Sequence, residues 1–326
     1  MKTIAIVAGG DSSEYEVSLR SAQGLYSFID KNKYLPYIVV LHGNNWQACP
    51  QGLNSEVRVK IDREDFSFAY QGQQVRFDLA WITIHGRPGE DGRLQGYFDM
   101  IGLPYQCCGV LAAALTFDKY ACKRYLQGFG IKGAEAILLR KPQELDTDQV
   151  LKVCGLPCFV KSNVGGSSFG VTKVKEAGAL EAAVAAAFAE GGSVIIERFL
   201  DGLELTSGCY KTRRRGVCLP LTEVQSKHEF FDYEAKYQGQ VQEITPARIS
   251  NEQRDQVQQQ TSLIYDLLGC QGIIRADYII CQDGIYLLEV NTTPGMTATS
   301  FIPQEVAANG QTMTEVMDEI ISDILS

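Results

Sequence analysis

The sequence predicts an α/β protein of two or three domains, and three observations carry that prediction. At 326 residues the chain exceeds one ordinary core, given roughly 100–200 residues per domain. The N-terminal run Thr3–Ala8 is a short apolar strand that turns through Gly9-Gly10-Asp11-Ser12-Ser13 into helical spacing over Glu14–Phe28, a ligand-facing order in α/β folds. Near the other end, Ile273–Ile280 and Ile285–Val290 flank a Gln-Asp-Gly turn and read as a hairpin.

The hairpin organises the rest of the chain. Arg275, Asp277 and Glu289 interrupt its apolar runs, where an unpaired buried charge costs on the order of several kcal/mol, so they require compensation. Alternation puts Arg275 and Asp277 on one face of the first strand, and Glu289 and Asn291 on one face of the second. Asp277, Glu289 and Asn291 can then converge as oxygen donors for a hard divalent cation such as Mg²⁺. A buried Arg275–Asp277 or Arg275–Glu289 ion pair of structural role fits the same pattern.

Composition bounds the function. Hydrophobic content of 45% and charged content of 21% are ordinary for a globular protein, and a net charge of −9 argues against nucleic acid or an anionic membrane as partner. No apolar run approaches a membrane span, and Ile4–Ala8 is far shorter than a signal h-region; a cytoplasmic protein is expected. The ten cysteines are mostly scattered singly and read as reduced, buried small hydrophobes. There is no CxxC pair, and His42, His85 and His228 lie far apart, so no zinc site is expected.

In chain order, Tyr37–Leu41 and Leu79–Ile84 read as buried strands separated by the polar, loop-rich stretch Asn44–Gln74. No GxGxxG follows the first strand, which gives dinucleotide binding no support. His85 sits at a strand end beside the turn Gly86–Gly92, either as a substrate contact or as a satisfied structural residue, and a helix begins near Glu90. From Gly109 the pattern is helical through Leu126 with a break at Asp118-Lys119; a first domain boundary falls near Phe117. Residues 129–133 read as a turn.

Lys161 ends a strand, and Gly165-Gly166-Ser167-Ser168 leads into a second strand at Gly170–Val174. This is not a Walker A loop, which leads into a helix. Its backbone N–H groups form either an anion nest beside Lys161 or a plain hairpin turn. Glu176–Glu190 is an Ala-rich helix. Glu197 and Glu204 flank a turn between the strands Val194–Ile196 and Leu205–Tyr210, as ligand contacts or as solvated turn residues. Arg213-Arg214-Arg215 reads as an exposed hairpin tip, and Val217–Val224 as a strand. Phe230–Gly239 mixes aromatics with charges as an active-site cover does. The helices Asn251–Leu268 and Thr312–Leu325 complete the reading.

Taken together, Gly9-Gly10 with Ser13-Glu14-Tyr15-Glu16-Val17-Ser18-Leu19, His85-Gly86 with Gly89-Glu90-Asp91-Gly92, Gly166-Ser167-Ser168-Phe169-Gly170, Glu234-Ala235-Lys236-Tyr237 and Glu289-Val290-Asn291-Thr292-Thr293-Pro294-Gly295-Met296-Thr297 resemble, in order, the motifs of the D-alanine–D-alanine ligases of the ATP-grasp superfamily. The resemblance runs nearly end to end. It implies an α/β fold, α+β overall, in three domains placed at 1–117, 118–211 and 212–326, with ATP gripped between the central and C-terminal ones. It also implies formation of D-alanyl-D-alanine through an acyl phosphate, for peptidoglycan precursors.

By the same resemblance, Lys119, Lys161, Gly166, Ser168 and Lys236 hold ATP phosphates, Glu197 faces the adenine amino group and Glu204 the ribose. Asp277, Glu289 and Asn291 hold two Mg²⁺, which Mn²⁺ replaces. Glu14 binds the ammonium of the first D-alanine, with Val17 on its methyl and His85 nearby. Arg275 and the Gly295 amide stabilise the oxyanion, Ser300 binds the second carboxylate beside Phe301, and Glu14, Ser167 and Tyr237 close the site. Tyr237 favours an amine over a hydroxyl nucleophile. A homodimer is implied. The departures are Ser162 where proline is common, Gly165 where an acidic residue is frequent and Phe301 where Leu is frequent; none removes a charge that the chemistry requires.

Overall fold

The computed structural model describes residues 1–165, 170–226 and 241–326. Gly166, Ser167, Ser168, Lys236, Tyr237 and the aromatic stretch 230–239 lie outside the described residues.

The first sheet is built from β1 (Lys2–Gly9), β2 (Tyr34–His42), β3 (Asn45–Cys49), β4 (Val59–Lys60), β7 (Leu79–Ile82) and β8 (Tyr105–Gln106), in the order β4-β3-β2-β1-β7-β8. β1 runs parallel to β2 and β7. β5 (Phe68–Tyr70) and β6 (Gln73–Val75) form a separate hairpin in the stretch read as loop. Ile4, Ile6 and Ala8 enter one core and Ala5 and Val7 another, because alternate residues of a strand face opposite sides. Burial on both faces explains the unbroken apolar run of β1.

The helix α1 (Tyr15–Phe28) covers one face. On the other, Leu94 and Phe98 of α2 (Arg93–Ile101) pack into the second core. α3 (Val110–Phe117) and α4 (Lys119–Gln127) meet at Asp118, whose side chain caps α4 by accepting from the Ala121 N–H at 2.9 Å. This is the break expected from the sequence.

The second sheet, in the order β11-β10-β12-β9, is antiparallel. It joins β9 (Ala136–Leu139), β10 (Cys158–Ser162), β11 (Thr172–Val174) and β12 (Val194–Arg198), packed against α5 (Thr147–Val153) and α6 (Leu180–Glu190). The third contains β13 (Leu203–Lys211), β14 (Gly216–Cys218), β15 (Thr222–Ser226), β16 (Val241–Ile244), β17 (Ile273–Cys281) and β18 (Gly284–Asn291), backed by α7 (Asn251–Leu267).

The expected strand Val217–Val224 is two strands, split at Leu219-Pro220-Leu221. Pro220 has no N–H to give a ladder. β13 ends the segment expected as central, yet it pairs with β15 and β17 of the third sheet. Glu197 and Glu204 lie inside β12 and β13, not on the turn between them.

Two helices close the chain. α8 (Phe301–Ala308) is absent from the sequence reading; it accommodates Pro303 in its first turn, whose N–H groups have no intrahelical partner. α9 (Met313–Ile324) starts in a capping box between Thr312 and Glu315. Its Val316, Met317, Ile320 and Ile321 join Ile302 and Val306 of α8, Ile4 and Ile6 of β1 and Ile273 of β17 in one core. The C-terminal helices thereby bind the first sheet to the third. All ten cysteines are free thiols, as expected.

Gly24 of α1 fits under this join: an added Cβ would run into the Met296 carbonyl oxygen. Glycine to alanine in a helix ordinarily gains about 0.5–1 kcal/mol. Here overpacking outweighs that gain, and Gly24→Ala should lose about 1–3 kcal/mol in urea unfolding. Equal or greater stability would contradict this packing.

Candidate active site

A cleft of about 1400 Å³ opens where the three sheets meet, and every described site residue expected from the sequence lines it: Glu14, Val17, His85, Lys119, Lys161, Glu197, Glu204, Arg275, Asp277, Glu289, Asn291, Gly295, Ser300 and Phe301.

The first wall is the end of β1. Gly9 and Gly10 turn the chain at φ of 92° and 99°, a region that favours glycine, and a Cβ on Gly10 would sit 2.8 Å from the Arg87 carbonyl oxygen. The turn delivers Glu14, buried, to the start of α1. His85 is buried after β7, its Nε2 3.4 Å from Ser21 Oγ. Glu90 accepts from the Gly86 N–H at 2.7 Å and from Thr293 Oγ1 at 3.0 Å. Burial, then the nearby Glu14 carboxylate, push it up to about 7. Glu90 therefore ties the His85 turn to the segment after β18.

Lysines line the second wall. The Lys119 N–H donates to the Asn163 carbonyl at 3.1 Å, fixing the start of α4 on the end of β10. Lys119 Nζ then reaches the Gly165 carbonyl at 2.5 Å and Glu289 at 3.3 Å. Lys161 pairs with Glu197 at 2.6 Å, and Lys123 bonds the other oxygen of that carboxylate. Burial opposes the charge on Glu197, but the two ammonium groups overcome it and hold the carboxyl at about 2. Burial lowers Lys123 despite the pair, whereas for Lys161 the charges of Glu197 and Glu289 outweigh burial and raise it.

The third wall is the hairpin. Asp277 stands opposite Glu289 and Arg275 opposite Asn291, so all four face the cleft. Arg275 holds Asp277 through two bonds of 2.8 Å, and Asn291 donates to the same carboxylate at 3.0 Å. The ion pair considered from the sequence is thus present together with the convergence of oxygen donors. Burial opposes the Glu289 charge, yet Lys119, Lys161 and Arg275 hold it at about 2. Glu204 lies two residues along β13 from Thr206, the partner of Asp277. Burial, then Asp277 and Glu289, push Glu204 up to about 8.

At the fourth side, Ser300 precedes α8 and its Oγ lies 2.8 Å from Thr297 Oγ1. A Cβ on Gly295 would sit 2.9 Å from Ser300 Oγ, and the Phe301 ring lies 5.3 Å from the Arg275 guanidinium. Among the described residues no three His, Cys, Asp or Glu side chains form a metal cluster, since the third donor of the hairpin is the Asn291 amide.

Lys123, Glu90 and Thr293 were not singled out as site residues from the sequence. Lys123 lies four residues after Lys119 on α4, and that helical spacing is a signal that could have found it. Glu90 and Thr293 meet across 203 residues, a distance no local pattern reveals.

Fold and cleft together define an ATP-grasp protein. Among solved structures, the VanG D-Ala:D-Ser ligase from Enterococcus faecalis superposes with a TM-score of 0.88 at 30% identity, covering 99% of both chains. The D-alanyl-alanine synthetase A from Vibrio cholerae does so at 0.88 and 26%, covering 100% of this chain and 99% of that one. The models of the D-ala D-ala ligase N-terminus and C-terminus match residues 3–108 and 125–322. A D-alanine–D-alanine ligase of Bacteroides fragilis is 59% identical over 323 residues, 99% of each chain, and one of Parabacteroides distasonis is 58% identical over 99% of this chain and 98% of its own. The chain belongs to the D-alanine–D-alanine ligase family.

The Glu197 trio gives a sign-definite pH dependence. Its folded value of about 2 against an ordinary 4.5 means that its stabilisation is complete above 4.5 and is lost as pH falls from 4.5 through about 2. Glu197→Gln strands two buried lysines and should cost about 3–5 kcal/mol at neutral pH. Denaturant unfolding across pH checks both, and an unchanged acid limb in the variant would refute the assignment.

Proposed function

We propose that the chain joins two molecules of D-alanine into D-alanyl-D-alanine, driven by ATP, for peptidoglycan precursor synthesis. The observation that carries this reading is the convergence in one cleft of Arg275, the hairpin donors and two lysines, facing Glu14, His85 and Ser300. The full-length family membership supports it.

A carboxylate oxygen of the first D-alanine attacks the γ-phosphorus, and the bond to ADP breaks. The amine of the second then attacks the acyl phosphate carbon, and the tetrahedral intermediate expels phosphate while the amine loses a proton. Such phosphoryl chemistry depends on charge neutralisation more than on covalent help. Lys119 and Lys161, which line the cleft, are assigned to the phosphates, with Gly166, Ser168 and Lys236 joining them. Glu197 and Glu204 serve adenine and ribose. Glu14 takes the first ammonium, with Val17 on its methyl and His85 beside it. Arg275 and the Gly295 amide face the oxyanion, Ser300 takes the second carboxylate beside Phe301, and Ser167 and Tyr237 complete the closure with Glu14.

The residues present fit Mg²⁺. Asp277, Glu289 and Asn291 supply hard oxygen donors on one face. Glu204 stands beside them, pushed up by burial first and by Asp277 and Glu289 second, with Arg275 and Lys161 opposing. Asp277, Glu289 and Asn291 would hold two Mg²⁺, or Mn²⁺ in their place, which when bound would supply positive charge against the transferring phosphoryl group. We propose the domains 1–117, 118–202 and 203–326, which redraws the expected second boundary at 211/212 so that β13 stays with the β15 and β17 it pairs with. A cytoplasmic homodimer acting on small molecules, without nucleic acid or membrane, completes the reading; no described helix is long and apolar enough to cross a membrane.

Phosphate release from MgATP should require D-alanine and fail with L-alanine, with mass analysis showing the dipeptide even against excess D-lactate or D-serine. A dominant D-alanyl-D-serine product would instead move the specificity toward that named for the Enterococcus relative. Arg275→Ala should lower kcat by about 10²–10³. A loss confined to KM would remove the arginine from the transition state.

A further inference from the structure

Glu305 is a carboxyl with no exposed surface, four residues along α8 from Phe301, and the proposed chemistry does not use it. Its surroundings are built for it. Oε2 accepts from the Gly208 N–H at 2.7 Å; Oε1 accepts from Thr222 Oγ1 at 3.2 Å and Thr206 Oγ1 at 3.4 Å, and Thr222 in turn lies 2.6 Å from Thr245 Oγ1.

The place is defined by a gap in the third sheet. Along one edge of β13, residues 204–206 pair with β15 and residues 209–211 with β14. Between them the Leu219-Pro220-Leu221 break leaves the Gly208 N–H without a ladder acceptor, and Glu305 supplies one. Gly208 has no room for a side chain: a Cβ would sit 2.6 Å from Glu305 Oε2 and 2.7 Å from Ile302 Cδ1. Across β13, Gly208 stands opposite Arg275 and Thr206 opposite Asp277. Cross-strand partners share a face, so the carboxyl enters the face that carries the Arg275–Asp277 pair.

We infer that Glu305 is a positioning residue, which fastens α8 to β13 and β15 and thereby sets Ser300 and Phe301 against Arg275. The inference rests on the ligase reading for the role of Ser300 as a contact of the second D-alanine. On a helix whose Ile302 and Val306 are already packed in the core, two points one turn apart face this sheet: the Phe301 ring lies over Arg275, and Glu305 lies in the sheet gap. Without the second point the helix loses its only side-chain hydrogen bonds to β13 and β15 among the described residues. The carboxyl is pushed well up, by burial first. A carboxamide oxygen can accept the same Gly208 N–H.

The test is steady-state kinetics of Glu305→Ala and Glu305→Gln, with hydrogen exchange of the ligand-free proteins. Glu305→Ala should raise the KM for the second D-alanine and lower kcat, together about 10- to 100-fold in kcat/KM as for a misplaced substrate contact, with the KM for ATP unchanged. Glu305→Gln should restore most of the loss. Exchange in Glu305→Ala should quicken at Gly208 and across 301–308 and stay unchanged in β1. Thr222→Val removes one donor at nearly constant volume and should shift the same parameters in the same direction by less, which keeps the test open if the alanine variant does not fold. Equal losses for ATP and D-alanine, no rescue by glutamine, or unchanged exchange at Gly208 would each overturn the positioning role. A wild-type chain that does not turn over D-alanine would overturn the ligase reading instead, and exchange would still decide the tether.

Discussion

The pairing of Asp277 with Glu289, and of Arg275 with Asn291, across β17 and β18 is the constraint on which the site depends. Two carboxylates directly opposite each other in a sheet repel, and both are largely withdrawn from water. They are tolerated because Arg275 grips Asp277 with two bonds and Lys119 reaches Glu289. The compensation draws on two separate parts of the chain, the hairpin itself and α4. The irregularity after Asp277 preserves this register while letting the apolar remainder of the hairpin pack against α7. A one-residue slip of β18 would turn Glu289 and Asn291 toward the core.

Charge neutralisation repeats through the cleft on the same logic. Glu197 between Lys123 and Lys161, and Glu289 among Lys119, Lys161 and Arg275, are each held ionised against burial by neighbouring cations, with Lys161 shared between them. Burial first, with acidic neighbours second, pushes Glu90 and Glu204 the other way. Lysines thus line the second wall, while Arg275, Asp277, Glu289 and Asn291 share the hairpin face of the same cleft.

The cleft exists because the C-terminal helices hold the first and third sheets together. α8 and α9 contribute to the core that also contains β1 and β17, while Glu90 bonds Thr293 and Gly24 admits the Met296 carbonyl. The segment between β18 and α8, which carries Gly295 and Ser300, is consequently fixed from both sides. Substrate groups expected from the N-terminal motif and from the C-terminal motif come to face each other by this packing.

How much of this was legible in the sequence follows from the range of each interaction. The strand–glycine–helix start, the break at Asp118, the hairpin and the shared face of Arg275, Asp277, Glu289 and Asn291 are local or periodic, and alternation or capping chemistry was enough to place them. Motif order then identified the family, because the chemistry demands those residue types wherever they stand. The split at Pro220 and the helix after Ser300 were misread or missed, since proline marks a break in one setting and a first helical turn in the other. Lys123 with Glu197, Glu90 with Thr293 and Glu305 with Gly208 join residues 74 to 203 positions apart. By itself the sequence determined which groups are available for phosphoryl transfer and on which face of each element they lie. Only the tertiary structure decided which charges neutralise which, because ion pairing inside a cleft depends on distance and burial across elements that no local pattern relates.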